Sequence, residues 1–396
     1  MVPASASILR RARARLAVVA VLAVACAAAP LSALAQNTET VAPRAILIEY
    51  ATGQVLLTKN VDDPVPPASM SKMMLLYMVF ERLAEGKLSL DDTFPVSEKA
   101  WRMGGSKMFV RVSTRVSVRD LLHGIIVQSG NDACIVLAEG LGGTEASFAD
   151  RMTERGRELG LTNSVFKNSS GWPEEGHVMS VRDIALLAMR IIHDFPQYYP
   201  FFSETSFTYN DIRQTNRNPL LFSYPGTDGL KTGHSEEAGY GLAASAVRNG
   251  RRMVLVATGM TNEDQRARET ERLMDWGFRE FGNYDFFKAG DVVAEAPVWL
   301  GGKATVPLVL NQNLTVTMSR NARRKMTVKA VYDGPIPAGI RQGQQLATLR
   351  IEAPDMQPIQ LPLYAGTDVD RLGLFGRLGA AVNYLVWGGG ETVAAN

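Results

Sequence analysis

The sequence predicts an α/β domain over about residues 40–285, followed by a small all-β domain. Strand-like stretches occur at both ends of the first region with helical periodicity between them, which is typical of one sheet assembled from distant segments. From Asp291 onward the pattern changes to short alternating stretches separated by Gly, Pro and Asn. With 396 residues and 46% hydrophobic content, the chain can bury two cores.

The first domain begins with a predicted hairpin. Ala45–Tyr50 and Gln54–Thr58 are strand-like and flank a Thr52-Gly53 turn signal. Pro66-Pro67 then ends the strand-like region, and the apolar run from Met70 to Leu83 predicts a helix. Further helices are predicted over Val118–Val127, Ala133–Leu141, Glu145–Leu159, Ser180–Ile192 and about Asp264–Phe281, and further strands over about Gly229–Thr232, Tyr240–Val247 and Met253–Thr258.

The β-rich part is predicted over residues 286–366. Its strand-like stretches are Thr305–Leu310, Leu314–Met318, Met326–Tyr332 and Leu346–Ile351. Residues 367–396 follow, and apolar side chains recur there at helical spacing from Leu374 to Val386. Such a stripe is typical of a helix in a membrane interface, and the alternative is a terminal helix docked on its own domain.

The first 35 residues have the pattern of a secretory signal. Four arginines precede an apolar run from Leu16 to Ala29, and small residues at Ala33 and Ala35 favour cleavage before Gln36. The alternative, a retained span, is disfavoured because Pro30 interrupts the run before about 20 apolar residues are reached. We therefore expect an exported protein, with residues 36–285 as its first domain.

Charge and cysteine content exclude several classes of function. The formal net charge of +2 becomes −2 without the four leader arginines, which gives no electrostatic basis for binding nucleic acid. The two cysteines, Cys26 and Cys134, exclude a disulfide framework and a cysteine-based zinc site. HExxH, GxxxxGK[ST] and GxSxG motifs are absent from the sequence, which disfavours metalloprotease, P-loop and α/β-hydrolase chemistry. We expect no cofactor.

The first candidate catalytic motif is Ser69-Met70-Ser71-Lys72 at the start of the predicted helix. A serine and a lysine three residues apart face the same side of a helix, so the amine can reach the hydroxyl. An amine acts as a base only when it is neutral, and burial lowers its pKa toward that state. Ser71 is a rival nucleophile, but the spacing to Lys72 favours Ser69.

Two further motifs lie far along the chain. Ser129-Gly130-Asn131 falls between two predicted helices, where a turn exposes both polar side chains. Lys231-Thr232-Gly233-His234 follows a strand, and an edge strand there would offer backbone groups and little bulk to an extended peptide. Taken singly, each motif is more often a helix cap, a turn or a strand end.

The order S-x-x-K, S-x-N, K-T-G is the signature of penicillin-binding proteins and class A β-lactamases. The chain resembles the low-molecular-mass penicillin-binding proteins that are serine-type D-Ala-D-Ala carboxypeptidases (the peptidase S11 family), with a second β-rich domain and a C-terminal membrane anchor. The resemblance runs over nearly the whole mature chain, including Asn216-Arg217-Asn218. It implies the transpeptidase fold that these proteins share with β-lactamases.

The resemblance also implies a role for each motif residue. Ser69 would attack the D-Ala-D-Ala carbonyl of peptidoglycan stem peptides, with Lys72 taking its proton, and β-lactam antibiotics would acylate the same serine. Ser129 would pass a proton to the leaving amine. The substrate would be held by Asn131, Lys231, Thr232, Gly233, His234 and Arg266, with Arg268 a weaker alternative to Arg266. Lys231 would also be the cation that lowers the pKa of Lys72.

Alternative functions remain open at this point. A β-lactamase would need an efficient deacylating base, and Glu174 or Glu175 lies in about the right part of the chain. A D,D-endopeptidase on peptidoglycan cross-links and a non-catalytic cell-wall binding or morphology protein are the other two. Cys134 is interpreted as a core thiol, and His177 with Ser180 and Asp183 as a helix-capping stretch.

Overall fold

The computed structural model describes residues 39–354, 356–376 and 378–379. The predicted signal at residues 1–35 lies outside this range, as does most of the amphipathic segment predicted after residue 366. The first domain contains the helices α1 (Lys72–Ala84), α2 (Glu98–Arg102), α3 (Val118–Ile126), α4 (Asn131–Gly142), α5 (Glu145–Glu158), α6 (Val181–Asp194), α7 (Leu220–Ser223) and α8 (Glu263–Glu280). Its strands are β1 (Arg44–Glu49), β2 (Val55–Lys59), β3 (Thr93–Pro95), β4 (Arg115–Ser117), β5 (Ser206–Tyr209), β6 (Ile212–Thr215), β7 (Thr227–Ser235), β8 (Gly239–Arg248) and β9 (Arg251–Met260).

A five-stranded antiparallel sheet organises this domain, in the order β2-β1-β9-β8-β7. The N-terminal strand β1 pairs with β9, with Ala45 opposite Ala257 and Leu47 opposite Leu255. The predicted sheet made of distant segments is therefore confirmed. Because β7 is the last strand in the order, one of its edges is not paired within the sheet.

Alternating side chains of the sheet enter two different cores. Ile46 and Val254 pack on the face covered by α1 and α3–α6, while Leu47 and Leu255 pack on the face covered by α8. This period of two is the strand periodicity that buries both faces of a sheet. On the α8 side, a Cβ at Gly277 would lie 2.7 Å from Leu47 Cδ2, so the helix packs directly against β1.

Short polar residues cap the helices that surround the site. The N-cap side chain accepts a hydrogen bond from the third helical N–H in α3, α5, α6 and α8, through Ser117, Thr144, Ser180 and Asn262 respectively. The capping role predicted for Ser180 is confirmed.

The second domain is a β structure with its own core. Its elements are β10 (Phe281–Phe287), β11 (Val292–Trp299), β12 (Thr305–Val309), β13 (Leu314–Ser319), α9 (Arg320–Lys325), β14 (Thr327–Val331), β15 (Ile336–Pro337), β16 (Gln345–Glu352) and β17 (Ile359–Ala365). The order β14-β16-β17-β12-β11-β15 forms one sheet, and β10 pairs with β13. The sequence boundary after residue 285 falls within β10, which pairs with β13 from Phe281 onward.

Hydrogen bonds join the two domains. Asn283 Nδ2 donates to Glu49 Oε1 at 2.9 Å, the hydroxyls of Thr52 and Thr317 are 2.5 Å apart, and Arg251 donates to the carbonyl of Phe281. The β domain is thus fastened to the end of β1 and to the turn that follows it.

Helical backbone follows the β domain at residues 374–376 and 378–379, where Leu374, Phe375 and Leu378 are exposed. None of the helices in the described part of the chain has the length and apolar character needed to cross a membrane.

Candidate active site

The first motif forms a tight turn that leads into α1. Residues Ala68–Ser71 make a 3-10 turn, and Ala68 has φ of +47°, a left-handed conformation that costs about 1–3 kcal/mol for a residue with a side chain. Lys72 Nζ lies 2.8 Å from Ser69 Oγ. Ser69 lines an open cleft, whereas the fully buried Ser71 donates to the Ala68 carbonyl. The geometry therefore favours Ser69 over Ser71 as the nucleophile.

Lys72 is completely buried among uncharged acceptors. Besides Ser69, its ammonium contacts Asn131 Oδ1 at 2.8 Å and the carbonyl oxygen of Ser170. Burial and, to a smaller extent, the positive charge of Arg217 lower the pKa of Lys72 to about 8, against the opposing effects of Cys134 and Asp132. Arg217, to which the sequence analysis gave no role, is thus a cation that acts on Lys72.

The second motif places Ser129 opposite a second buried lysine. Ser129 has φ of +59°, again a left-handed conformation. Lys231 Nζ donates to Ser129 Oγ at 2.9 Å, and only 2% of Lys231 is exposed. Burial, together with the charge of Lys72, lowers the pKa of Lys231 well below its ordinary value. Two serine–lysine pairs thus meet in one region.

The third motif lies on β7, the edge strand. A Cβ at Gly233 would approach the Pro67 carbonyl to 2.9 Å, so the absence of a side chain allows the strand to pass close to the serine turn. Thr232, Gly233 and His234 all line the cleft, and the imidazole of His234 stacks on Tyr240 at 3.9 Å.

Two arginines bring positive charge to the cleft. Arg266 is 4% exposed, lines the cleft, and its Nε has no hydrogen-bond partner among the described residues. Arg268 is exposed and does not line the cleft, so the geometry favours Arg266. Arg217, which the sequence analysis noted without a role, lines the cleft and donates to Ser106 Oγ at 2.6 Å.

The cleft has a volume of about 750 Å³. It brings together seven of the nine residues predicted for the site: Ser69, Ser129, Asn131, Thr232, Gly233, His234 and Arg266. Lys72 and Lys231 lie beneath it and reach its serines through the hydrogen bonds above.

A buried carboxylate fixes the loop that supplies the Ser170 carbonyl. Glu145 Oε1 accepts from both the N–H and the hydroxyl of Ser169, and its Oε2 pairs with Lys99 at 2.7 Å. Asn168 Oδ1 accepts from the backbone N–H groups of residues 170–172. Sequence reasoning missed both residues, because their partners are backbone groups that the fold brings together.

A second buried carboxylate fixes the opposite wall. Asp132, fully buried beside Asn131, accepts from the backbone N–H groups of Met108, Phe109 and Val110 at 2.9–3.1 Å. Asn131 Nδ2 donates to Gly104 O at 3.0 Å. The loop at residues 104–110 is therefore held by the two residues that follow Gly130, a link that the sequence analysis also missed.

The remaining candidate residues are structural rather than catalytic. Burial raises the pKa of Cys134 to about 12 and lowers that of His177 to about 4, so both are predominantly neutral at pH 7. Glu174 accepts from Asn168 Nδ2, and neither Glu174 nor Glu175 lines the cleft. The geometry gives a β-lactamase-type base no support at these positions.

The fold and the gathered serine–lysine pairs define a serine-type acyl-transfer enzyme. The sequence profile of the D-alanyl-D-alanine carboxypeptidase family matches residues 31–262, and that of the penicillin-binding protein 5 C-terminal domain matches residues 281–371. The chain belongs to the D-alanyl-D-alanine carboxypeptidase family, a class of serine-type hydrolases.

Individual relatives agree with this assignment. D-alanyl-D-alanine carboxypeptidase DacC of Escherichia coli is 37% identical over 84% of this chain and 85% of its own. The structure of DacD from Francisella tularensis matches with a TM-score of 0.76 and 30% identity, over 85% of this chain and 95% of that one. Ampicillin-bound penicillin-binding protein D2 of Listeria monocytogenes matches at 0.56 and 30% identity, over 61% of this chain and 99% of that one.

Proposed function

We propose that this protein removes the terminal D-alanine from peptidoglycan stem peptides through an acyl-enzyme on Ser69. The observation that carries the proposal is the pairing of Lys72 with Ser69 at 2.8 Å and of Lys231 with Ser129 at 2.9 Å, around one cleft. The names of the relatives support a carboxypeptidase over an endopeptidase or a non-catalytic protein.

Acylation begins at the Ser69 hydroxyl. Neutral Lys72 accepts its proton while Oγ attacks the carbonyl carbon of the D-Ala-D-Ala bond. The backbone N–H groups of Ser69 and His234 stabilise the oxyanion. Ser129 gives its proton to the leaving D-alanine nitrogen as the C–N bond breaks, and the Ser129 oxygen, which is hydrogen-bonded by Lys231, regains a proton from the Lys72 ammonium, so that Lys72 is neutral again. Water then hydrolyses the ester, which returns a proton to Ser69 and releases the shortened peptide.

Substrate binding uses charge and the edge strand. Lys231, the Thr232 hydroxyl and Arg266 bind the terminal carboxylate, for which the unpartnered Arg266 Nε is a ready donor. Asn131 Oδ1 already accepts a hydrogen bond from Lys72, and its second lone pair accepts one from the N–H of the substrate amide. Gly233 leaves room for the peptide beside β7. A β-lactam acylates Ser69 in the same way and blocks turnover.

Each segment of the chain has its own part in this function. We propose a signal at residues 1–35, a catalytic domain from residue 36, a β-rich domain from Phe281 to residue 366, and an anchor at residues 367–396. The exposed Leu374, Phe375 and Leu378 support an anchor on the outer face of the cytoplasmic membrane, because a helix with such an apolar face binds the interface. The enzyme is then held in the periplasm beside the wall.

The test follows D-alanine release from diacetyl-Lys-D-Ala-D-Ala by protein lacking residues 1–35, with and without penicillin. We expect penicillin-sensitive release and covalent labelling by penicillin. Ser69→Ala should abolish both, while the matched Ser71→Ala variant should still be labelled. Labelling of the Ser69→Ala variant would refute Ser69 as the nucleophile, and labelling without release would move the assignment to an endopeptidase or a cell-wall protein.

The anchor is tested separately by ending the chain at Gly366. We expect this protein to stay in the supernatant when membranes are sedimented, and to keep the tripeptide turnover of the longer chain. Continued sedimentation would place the membrane contact elsewhere in the molecule.

A further inference from the structure

A second, shallower groove lies next to the cleft wall formed by residues 104–110. We call it the aromatic groove. It has a volume of about 240 Å³ and is lined by Trp101, Lys107, Phe109, Val110, Arg111, Asn210 and Ile212.

Large apolar side chains are exposed together in the aromatic groove. Trp101 on α2, Phe109 on the loop and Ile212 on β6 are 42%, 44% and 39% exposed. Clustered apolar side chains that reach solvent mark interaction sites, whereas isolated ones do not.

The fold holds the Phe109 ring out of the core at a cost. Phe109 has φ of +68°, which costs about 1–3 kcal/mol for a residue that is not glycine. Its N–H donates to buried Asp132, and its carbonyl accepts from Asn210 Nδ2 at 2.9 Å. The neighbours Met108 and Val110 are buried, so of these three side chains only the Phe109 ring is directed outward.

The aromatic groove continues the active-site cleft along one loop. Gly105 and Ser106 line the cleft, and Lys107 and Phe109 line the groove. The carbonyl of Lys107 accepts from Gln214 Nε2 at 3.0 Å, which fixes the loop against β6. A ligand that leaves the cleft past Ser106 therefore meets the groove.

The charge of the aromatic groove is positive. Lys107 and Arg111 line it, and none of its lining residues is acidic. Lys107 Nζ donates to the Trp101 carbonyl, which leaves two of its three N–H groups for a ligand. Asp211 lies in the nearby turn between β5 and β6 but does not line the groove.

We propose that the aromatic groove binds the sugar end of the peptidoglycan substrate, an inference that rests on the proposed function. A pentapeptide extended at about 3.4 Å per residue reaches roughly 17 Å, so its sugar-bearing end leaves the cleft. The rings of Trp101 and Phe109 offer flat apolar faces to a sugar. Lys107 and Arg111 suit the free carboxylate of an acidic residue near the start of the stem peptide.

The test compares two substrates of different length. The diacetyl tripeptide ends before the groove, whereas a disaccharide pentapeptide reaches it. We expect Trp101→Ala and Arg111→Glu each to lower kcat/KM for the disaccharide pentapeptide at least fivefold more than for the tripeptide. Phe222→Ala is the control, because it removes an aromatic side chain that is 58% exposed and lies outside both the cleft and the aromatic groove. It should leave the ratio unchanged.

The outcomes separate this inference from the proposed function. A ratio within twofold of the parent in both groove variants overturns the proposal that the groove binds the sugar end. Cosedimentation of the same variants with phospholipid vesicles is measured in parallel, and weaker vesicle binding with an unchanged ratio would show a membrane contact instead, which also overturns the proposal. If the parent hydrolyses neither substrate, the proposed function fails. The groove is then tested by cosedimentation of Ser69→Ala protein with insoluble peptidoglycan. Adding Trp101→Ala should lower the sedimented fraction at least fivefold, and an unchanged fraction would refute the groove proposal.

Discussion

Lys72 is suited to proton transfer because of where its ammonium lies. It is fully buried and contacts three uncharged oxygens, so no carboxylate hydrogen-bonds to its charged form. A lysine in this position loses its proton far more readily than an exposed one, whose pKa is about 10.4.

The pH dependence of acylation follows from this environment. The reactive amine is the neutral form, and its fraction rises as pH passes the Lys72 pKa of about 8. We therefore expect the second-order rate of penicillin acylation to increase with pH, with a midpoint near pH 8 and a plateau above about pH 9. Stopped-flow acylation across pH 6–10 measures this, with thermal unfolding at each pH as the control for folding. A midpoint near 10 would contradict the proposed role of Lys72.

Asp132 is a positioning residue for the cleft wall. In Asp132→Asn, an amide N–H₂ would face backbone N–H donors that now bond to the carboxylate, which costs about 1–3 kcal/mol. We expect kcat/KM for the tripeptide to fall by about 5–150-fold, mainly through KM, with the pH midpoint of acylation unchanged. Glu269→Gln, which alters a buried carboxylate bonded to Thr40 and Arg272, is the matched control. An equal loss in both variants would indicate general destabilisation.

The sequence predicted the reactive residues better than the residues that hold them. Ser69, Lys72 and Ser129 belong to short motifs whose spacing carries chemical meaning. Glu145 and Asp132 bind backbone N–H groups 24 and 22–24 residues away, and any residue supplies a backbone N–H. No side-chain pattern identifies such partners.

At the scale of elements, the serine turn and the loop at residues 168–172 pack against each other without room for a side chain. Gly171 has φ of +76°, and a Cβ there would lie 1.9 Å from the Ala68 carbonyl oxygen. The two segments must separate if any other residue occupies this position, which moves the Ser170 carbonyl away from Lys72.

Gly171→Ala should therefore slow acylation at least tenfold. The matched control is Gly143→Ala, because Gly143 has φ of +77° but nothing within 4 Å of a Cβ. Both variants place an alanine at a positive φ, but only Gly171→Ala adds the clash. Equal acylation rates in the two variants would show that the close packing has no role in the chemistry.

Long periodic elements were predicted and short irregular ones were not. The helices α1, α3, α4, α5, α6 and α8 all occur where periodicity indicated them. The hairpin β5–β6 was missed because most of its residues are half-buried or exposed, which leaves no clear alternation. Yet that hairpin supplies Asn210 and Gln214, which hold the cleft wall.

On the scale of the whole molecule, Glu49 links the two domains. This fully buried carboxylate accepts from the N–H and hydroxyl of Thr52 and from Asn283 on β10. The sequence boundary after residue 285 falls inside β10, which continues directly from α8 without a turn signal.

Glu49→Gln should weaken this junction without altering the cleft. An amide N–H₂ facing these donors leaves buried groups unpaired, and we expect the free energy of unfolding to fall by about 1–3 kcal/mol. Urea denaturation measures the change, and tripeptide turnover should stay within twofold of the parent. A large loss of turnover with unchanged stability would instead connect the junction to catalysis.

The strand order of the first sheet also bears on when the protein becomes reactive as it is synthesised. Because β1 pairs with β9, more than 190 residues must leave the ribosome after β1 before the sheet can close. Until then Ser69 and Lys72 are present without the strand that carries Lys231, so a nascent or partly translocated chain has no assembled cleft. Such long-range pairing slows folding, and reactivity toward β-lactams begins only when it is complete.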